Sequence, residues 1–140
     1  MAAGTPRQRI EATRRAGRGE GLLTACLDLL AGREADRGML RILAGSGDLE
    51  FTERPANRYW LRVWALRGLL WAWDDRALPA LLDALADEHW RSREMAAKVA
   101  ARHLQGDALP ALVELAARDP VRRVRAAASR AVALLTAAGA

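Results

Sequence analysis

Apolar positions along the chain recur at helical rather than strand spacing. Leu23, Leu27 and Leu30, then Met39, Leu40 and Leu43, lie three and four residues apart, which lines one face of an α-helix and predicts helices over 21–31 and 35–44. Farther along, the pattern predicts helices at about 58–73, 76–87, 90–104, 107–118 and 121–137. Only short turns separate these, so neighbouring helices must run antiparallel as hairpins. Asp74-Asp75 and Gly106-Asp107 stand before two of them, and Asp87-Glu88 and Asp119-Pro120 after them, as helix caps and turn formers. The stretch from Gly45-Ser46-Gly47-Asp48 to about Asn57, with Pro55, breaks the pattern and predicts one long loop. Residues 5–18 read either as a basic helix, with Glu11 and no proline after Pro6, or as a frayed arginine-rich tail.

The chain is also self-similar. Ala77-Leu78-Pro79-Ala80-Leu81-Leu82 recurs as Ala108-Leu109-Pro110-Ala111-Leu112-Val113, an offset of 31 in the numbering. At the same offset Arg62-x-Trp64-Ala65-x-Arg67 maps onto Arg93-x-Met95-Ala96-x-Lys98, and Met95-Ala96-Ala97 onto Ala126-Ala127-Ala128. A proline at the third position of Ala-Leu-Pro fits only a helix start, where amides have no intrahelical partner to lose. These observations predict a basic tail or helix at 1–18 followed by one helical repeat domain over 19–140, with clear repeats over 58–140.

Composition narrows the class without changing that picture. With 140 residues, 51% hydrophobic and 28% charged, the chain suits one globular domain and not a disordered segment. Tyr and Phe occur once each and isoleucine only as Ile10 and Ile42, so strands lack their usual material. The basic residues are 21 arginines and Lys98, a bias that a GC-rich genome explains. The net charge of +5 is uneven: +3 over 1–20, −2 over 21–57, −1 over 58–88 and +5 over 89–140. Basic ends fit a polyanion-binding surface, and a solvated charged face gives the same pattern. Cys26, in an apolar run, reads as a small buried hydrophobe in a reducing compartment. No run of 18 uncharged apolar residues and no signal-type segment occurs, so the expectation is a soluble cytoplasmic protein with no membrane partner.

Residues 58–140, through Ala-Leu-Pro-Ala-Leu-Leu-Asp-Ala-Leu at 77–85, Ala-Leu-Pro-Ala-Leu-Val-Glu-Leu at 108–115, Asp119-Pro120 and Val124-Arg125-Ala126-Ala127-Ala128, resemble HEAT-like repeats. The likeness is to the short form found in phycobilisome lyases and many bacterial scaffold proteins. It implies an all-α fold, a short right-handed α-solenoid of antiparallel hairpins with about six to seven helices. It also implies that the Leu-Pro helix lies on the convex side and that the helix after it lines a concave, partner-binding side. The first repeat departs from the pattern, since Tyr59 to Trp73 puts a tryptophan-rich helix where an alanine-rich one is usual.

That departure supplies the candidate site. At 100° per residue Trp60, Trp64, Arg67 and Trp71 share an arc of about 60° on one helix face. A shift of 31 gives Arg91, Met95, Lys98 and Arg102, and a further shift gives Arg122, Ala126, Ser129 and Ala133. Either the tryptophans are core, covered by the N-terminal helices or the 45–57 loop, or they line a groove continuous with Arg91, Lys98, Arg102 and Arg122. Aromatic faces beside guanidinium groups suit an acidic peptide, a nucleic acid or a small aromatic ligand. Catalytic signals are thin. Asp74 and Asp75 are weak candidates for paired carboxylates and read better as caps, and Gly17-Arg18-Gly19-Glu20-Gly21 has no preceding strand to make it a phosphate loop. His89 and His103 stand in no metal-ligand spacing, so neither a metal nor a cofactor is expected. The leading reading is a repeat-type adaptor for a protein partner, expected to be acidic to match the basic face; the alternatives are DNA or RNA binding and a tryptophan-lined ligand pocket or enzyme. HEAT-like DNA glycosylases bear on the second, but no stretch here matches their active site.

Overall fold

The computed structural model describes residues 4–45 and 49–139. Eight α-helices occur among them, joined by turns and four short 3-10 segments, with no strand: α1 (Pro6–Arg15), α2 (Gly19–Leu30), α3 (Arg37–Ala44), α4 (Tyr59–Leu69), α5 (Leu78–Ala84), α6 (Trp90–Arg102), α7 (Leu109–Arg118) and α8 (Arg122–Ala137). The all-α expectation holds, with one helix more than the six to seven expected. The additional helix is α1, which the sequence leaves open between a helix and a frayed tail. A reciprocal cap starts it: the Thr5 hydroxyl accepts the Gln8 amide at 3.1 Å, the Gln8 side chain accepts the Thr5 amide at 2.9 Å, and Pro6 follows at the first turn.

The long loop expected over 45–57 is corrected in part: 3-10 turns occupy Glu50–Glu53 and Pro55–Asn57, while 46–48 lie outside the described residues. The two Leu-Pro helices are shorter than expected at their starts, because 3-10 turns at Asp75–Ala77 and Gly106–Ala108 precede them. Pro79 and Pro110 then fall in the first turn, where the missing N–H costs nothing.

Helix packing groups the chain into two compact units, Met1–Asp75 and Arg76–Ala140. In the first unit, α1 packs on α2, α3 and α4, and α2 lies along α4. Ile10, Leu22, Cys26, Leu43, Leu66 and Leu69 are fully buried there. Each such leucine contributes about 1.5–3 kcal/mol by leaving water. Closeness of α4 to its neighbours depends on Gly68, whose missing side chain leaves room for Leu43 and Cys26. The carbonyls in the last turn of α3, which have no intrahelical partner, accept from two arginines. Arg9 Nε donates to Ile42 O at 2.8 Å and Arg67 Nη2 to Leu43 O at 2.7 Å, placing positive charge at the negative end of the helix.

Burial pushes the Cys26 thiol up to about 12, and the thiolate is the reactive form. A shift from 9.0 to about 12 lowers the thiolate fraction at pH 8 by about a thousandfold. Cys26 is therefore expected to resist a disulfide-exchange reagent at pH 8 in the native protein and to react at once in urea. Equal rates in both conditions would contradict the buried position.

In the second unit α5 packs on α6, α7 on α8, and α6 lies beside α8. Its core is mostly small: Ala96, Ala97, Ala100, Ala108, Ala128 and Ala131 are buried with Leu81, Val99, Leu112, Val124 and Leu135. Short side chains let the helix axes approach closely, so the alanine-rich sequence is itself the packing instruction.

Candidate functional site

The tryptophan stripe of α4 does not behave as one surface. Trp64 is buried at 9% exposure, and half-buried Trp60 leans on it with ring centroids 6.3 Å apart. Tyr59 sits 5.3 Å from Trp60 in turn. Arg67 is turned toward α3 and bound to the Leu43 carbonyl, and its Nε has no acceptor among the described residues. Burial, reinforced by nearby Arg9, lowers its pKa, yet a guanidinium stays charged at any physiological pH. Trp71 lies beyond the end of α4, half-buried, and its carbonyl accepts from Arg14 at 2.7 Å. Arg67 therefore ties α4 to α3 and Trp64 is buried in the first unit, while Trp60 and Trp71 keep part of their surface open.

Asp74 and Asp75 do not cap α5, whose N-cap is Ala77 with no side-chain hydrogen bond. The exposed Asp75 carboxylate instead accepts the Trp73 indole N–H at 3.1 Å. Shape gives the first unit a cleft of about 510 Å³, with Leu29, Leu40, Leu49 and Leu61 among its lining and Arg33, Arg37 and Arg58 beside them. No tryptophan lines it.

The second unit corrects the repeat register. Asp87 Oδ1 accepts the His89 amide at 2.8 Å, and Asp119 Oδ1 accepts the Val121 amide at 2.9 Å. Arg93 Nη1 donates to the Asp87 carbonyl and Arg125 Nη1 to the Asp119 carbonyl, both at 2.8 Å. The offset from Asp87 to Asp119, and from Arg93 to Arg125, is 32 and not 31, because one more residue separates Leu109 from Asp119 than separates Leu78 from Asp87. Buried positions agree: Ser92, Ala96 and Val99 correspond to Val124, Ala128 and Ala131, all fully buried. Arg91, Met95, Lys98 and Arg102 thus share their register with Arg123, Ala127, Arg130 and Leu134. Arg122, Ala126, Ser129 and Ala133 occupy a different side of α8, and Arg122 corresponds to Trp90.

At the start of α6 the structure assembles a cluster around Trp90, of which the sequence pattern singled out only Arg91 as a binding candidate. The Arg91 guanidinium lies 4.5 Å from the Trp90 ring centre and that of Arg123 lies 5.0 Å from it. His89 stacks near the same ring at 6.1 Å, and its Nδ1 accepts the Arg91 amide at 3.2 Å as the N-cap of α6. Glu94 then fixes Arg123 through two bonds of 2.9 and 3.1 Å. Attraction to the indole face and a bidentate carboxylate together hold a guanidinium that exposed arginines normally leave loose.

Along the same side of α6 and α8, Lys98, Arg102 and Arg130 are exposed. Neither Lys98 nor Arg130 is tied into an ion pair with another described residue. From 89 to 140 nine basic residues stand against four acidic ones, Glu94, Asp107, Glu114 and Asp119. Of these, Glu94 is engaged by Arg123, Asp119 by Arg93 and Glu114 by Arg118. The α6–α8 side therefore presents positive charge interrupted by half-buried Met95 and by Leu134, which is 43% exposed. Surfaces of one sign of charge steer molecules of the opposite sign toward them. Among the described residues, no group of three or more His, Cys, Asp or Glu stands where it could hold a metal ion, and no helix is long and apolar enough to cross a membrane.

No curated protein and no solved structure matches the chain. A family model for HEAT repeats matches residues 52–133, more than half of the sequence, and runs from α4 into α8, taking in the two Leu-Pro helices and the matched Asp–Arg turns. The chain belongs to the HEAT-repeat family.

Proposed function

We propose that this HEAT-repeat chain is a protein-binding module whose α6–α8 side receives an acidic partner. The observation that carries the reading is the shared row of cations, Arg91, Lys98 and Arg102 on α6 with Arg123 and Arg130 on α8, beside the ordered Trp90 cluster. These are the helices that follow the Leu-Pro helices, the position at which repeats of this kind commonly meet a partner. Arg and Trp are also the residue types that most often dominate binding energy. Trp64 and Arg67 belong to the packing of the first unit, so substituting them tests folding and not recognition.

The test is affinity capture with the full chain, comparing wild type with Arg91→Glu/Lys98→Glu/Arg130→Glu. Lys98 and Arg130 are exposed charges that contribute little to folding, and helical circular dichroism checks that reversing half-buried Arg91, which packs on Trp90, leaves the fold intact. The variant's captured proteins should be depleted at least about tenfold, as expected when interfacial charges are reversed. An unchanged set of captured proteins would overturn the reading. Capture that disappears with nuclease and falls steeply with salt would favour nucleic-acid binding in its place.

A further inference from the structure

We infer that the α6–α8 side accepts an acidic amphipathic helix, with carboxylates at positions i and i+7 and an apolar side chain between them. The inference rests on the binding reading above and specifies its partner. Register pairs Arg91 with Arg123, Met95 with Ala127, Lys98 with Arg130, and Arg102 with Leu134. Along the helices the surface thus reads charged, apolar, charged, then mixed.

Spacing makes this order selective. Seven residues of helix span about 10.5 Å, so the Arg91–Arg123 and Lys98–Arg130 rungs are about that far apart, with Met95 halfway. Adjacent helix axes lie about 8–10 Å from one another, which sets the distance between the two rows. A helix carrying Glu or Asp at i and i+7 repeats the same interval, and a residue at i+3 or i+4 falls on the Met95 rung. Met95 suits that position because an unbranched thioether adapts to different apolar partners. Duplex nucleic acid, by contrast, carries charge about every 3.4 Å along each strand and offers phosphate where the Met95 rung calls for an apolar group. Arg123, held by Glu94 and Trp90, is ordered before the partner arrives, which lowers the entropy lost on binding.

The experiment titrates the full chain against two labelled peptides of equal composition and a short DNA duplex, read by fluorescence anisotropy. One peptide places Glu at i and i+7 with Leu between; in the other the same residues are scattered around the helix. The patterned peptide should bind at least about tenfold more tightly than the scattered one, and Met95→Glu and Lys98→Glu should each weaken it about tenfold. Arg118→Glu, an exposed change on α7, should leave it unaltered. Equal binding of the two peptides, or tighter binding of DNA, would overturn the helix inference while leaving charge-dependent recognition standing. Failure of both peptides and an unchanged capture set in the charge-reversed protein would remove both.

Discussion

Asp119→Ala is expected to destabilise the protein by about 3–5 kcal/mol, the usual result of removing one partner from a buried ion pair. Asp119 is 6% exposed and sits at the turn between α7 and α8. Its carboxylate accepts from Arg93 Nε at 2.7 Å and Nη2 at 3.3 Å, and from the Val121 amide at 2.9 Å. One side chain thereby joins α6 to the first turn of α8. Alanine would leave the Arg93 guanidinium, 13% exposed, without its counter-charge and would free the Val121 amide. Urea unfolding followed by circular dichroism measures the change. A loss below about 1 kcal/mol would mean that the pair contributes nothing beyond a surface contact.

The same residue predicts a pH dependence. Burial by itself would raise the Asp119 pKa, but hydrogen bonds from Arg93 and Val121, with the charges of Arg93 and Arg125, hold it below the usual carboxylate value. A depressed folded-state pKa contributes stability above the unfolded value, about 3.9, and that contribution is lost as pH falls through the folded value. The stability gap between wild type and Asp119→Asn should therefore be constant from about pH 5 to 7 and shrink below about pH 4. A gap that persists at pH 2 would contradict the linkage.

How far the sequence discloses this molecule depends on whether a signal is local. The hairpins are legible because Leu-Pro and alanine patterns mark helix starts and close-packed faces directly. The third register is harder: Ala126-Ala127-Ala128 faces Met95-Ala96-Ala97 at an offset of 31 and Glu94-Met95-Ala96 at 32, so matching alanines alone favours the offset that the structure does not show. The discriminating pattern is the Asp-to-Arg spacing, which is the same at Asp87–Arg93 and Asp119–Arg125 and whose bonds fix each turn. Helix α1 is likewise announced by Thr5 and Gln8, a reciprocal cap three residues apart. Burial of Trp64 is not legible, because it depends on which helices of the first unit cover α4. Trp90 is hidden for a related reason: at the first position of α6 its surroundings come from Arg91 and, across the repeat, Arg123.

The tight passage of α4 through the first unit gives the second large effect. A methyl group at Gly68 would stand 2.5 Å from Leu43 Cδ2 and 3.2 Å from Cys26 Sγ, both on fully buried side chains. Alanine is the better helix former by about 1 kcal/mol, yet overpacking costs about 1–3 kcal/mol, so Gly68→Ala is expected to lower the thermal midpoint. Leu43→Ala should cost about 2–5 kcal/mol through the cavity it opens. Its backbone carbonyl, which anchors Arg67, is unchanged by that substitution. In the double variant the added methyl enters the space that Leu43 vacates, so the combined loss should fall short of the sum by about 1 kcal/mol or more. Strict additivity would show that α4 relieves the crowding by shifting away from α3, and that Gly68 is not what sets their separation.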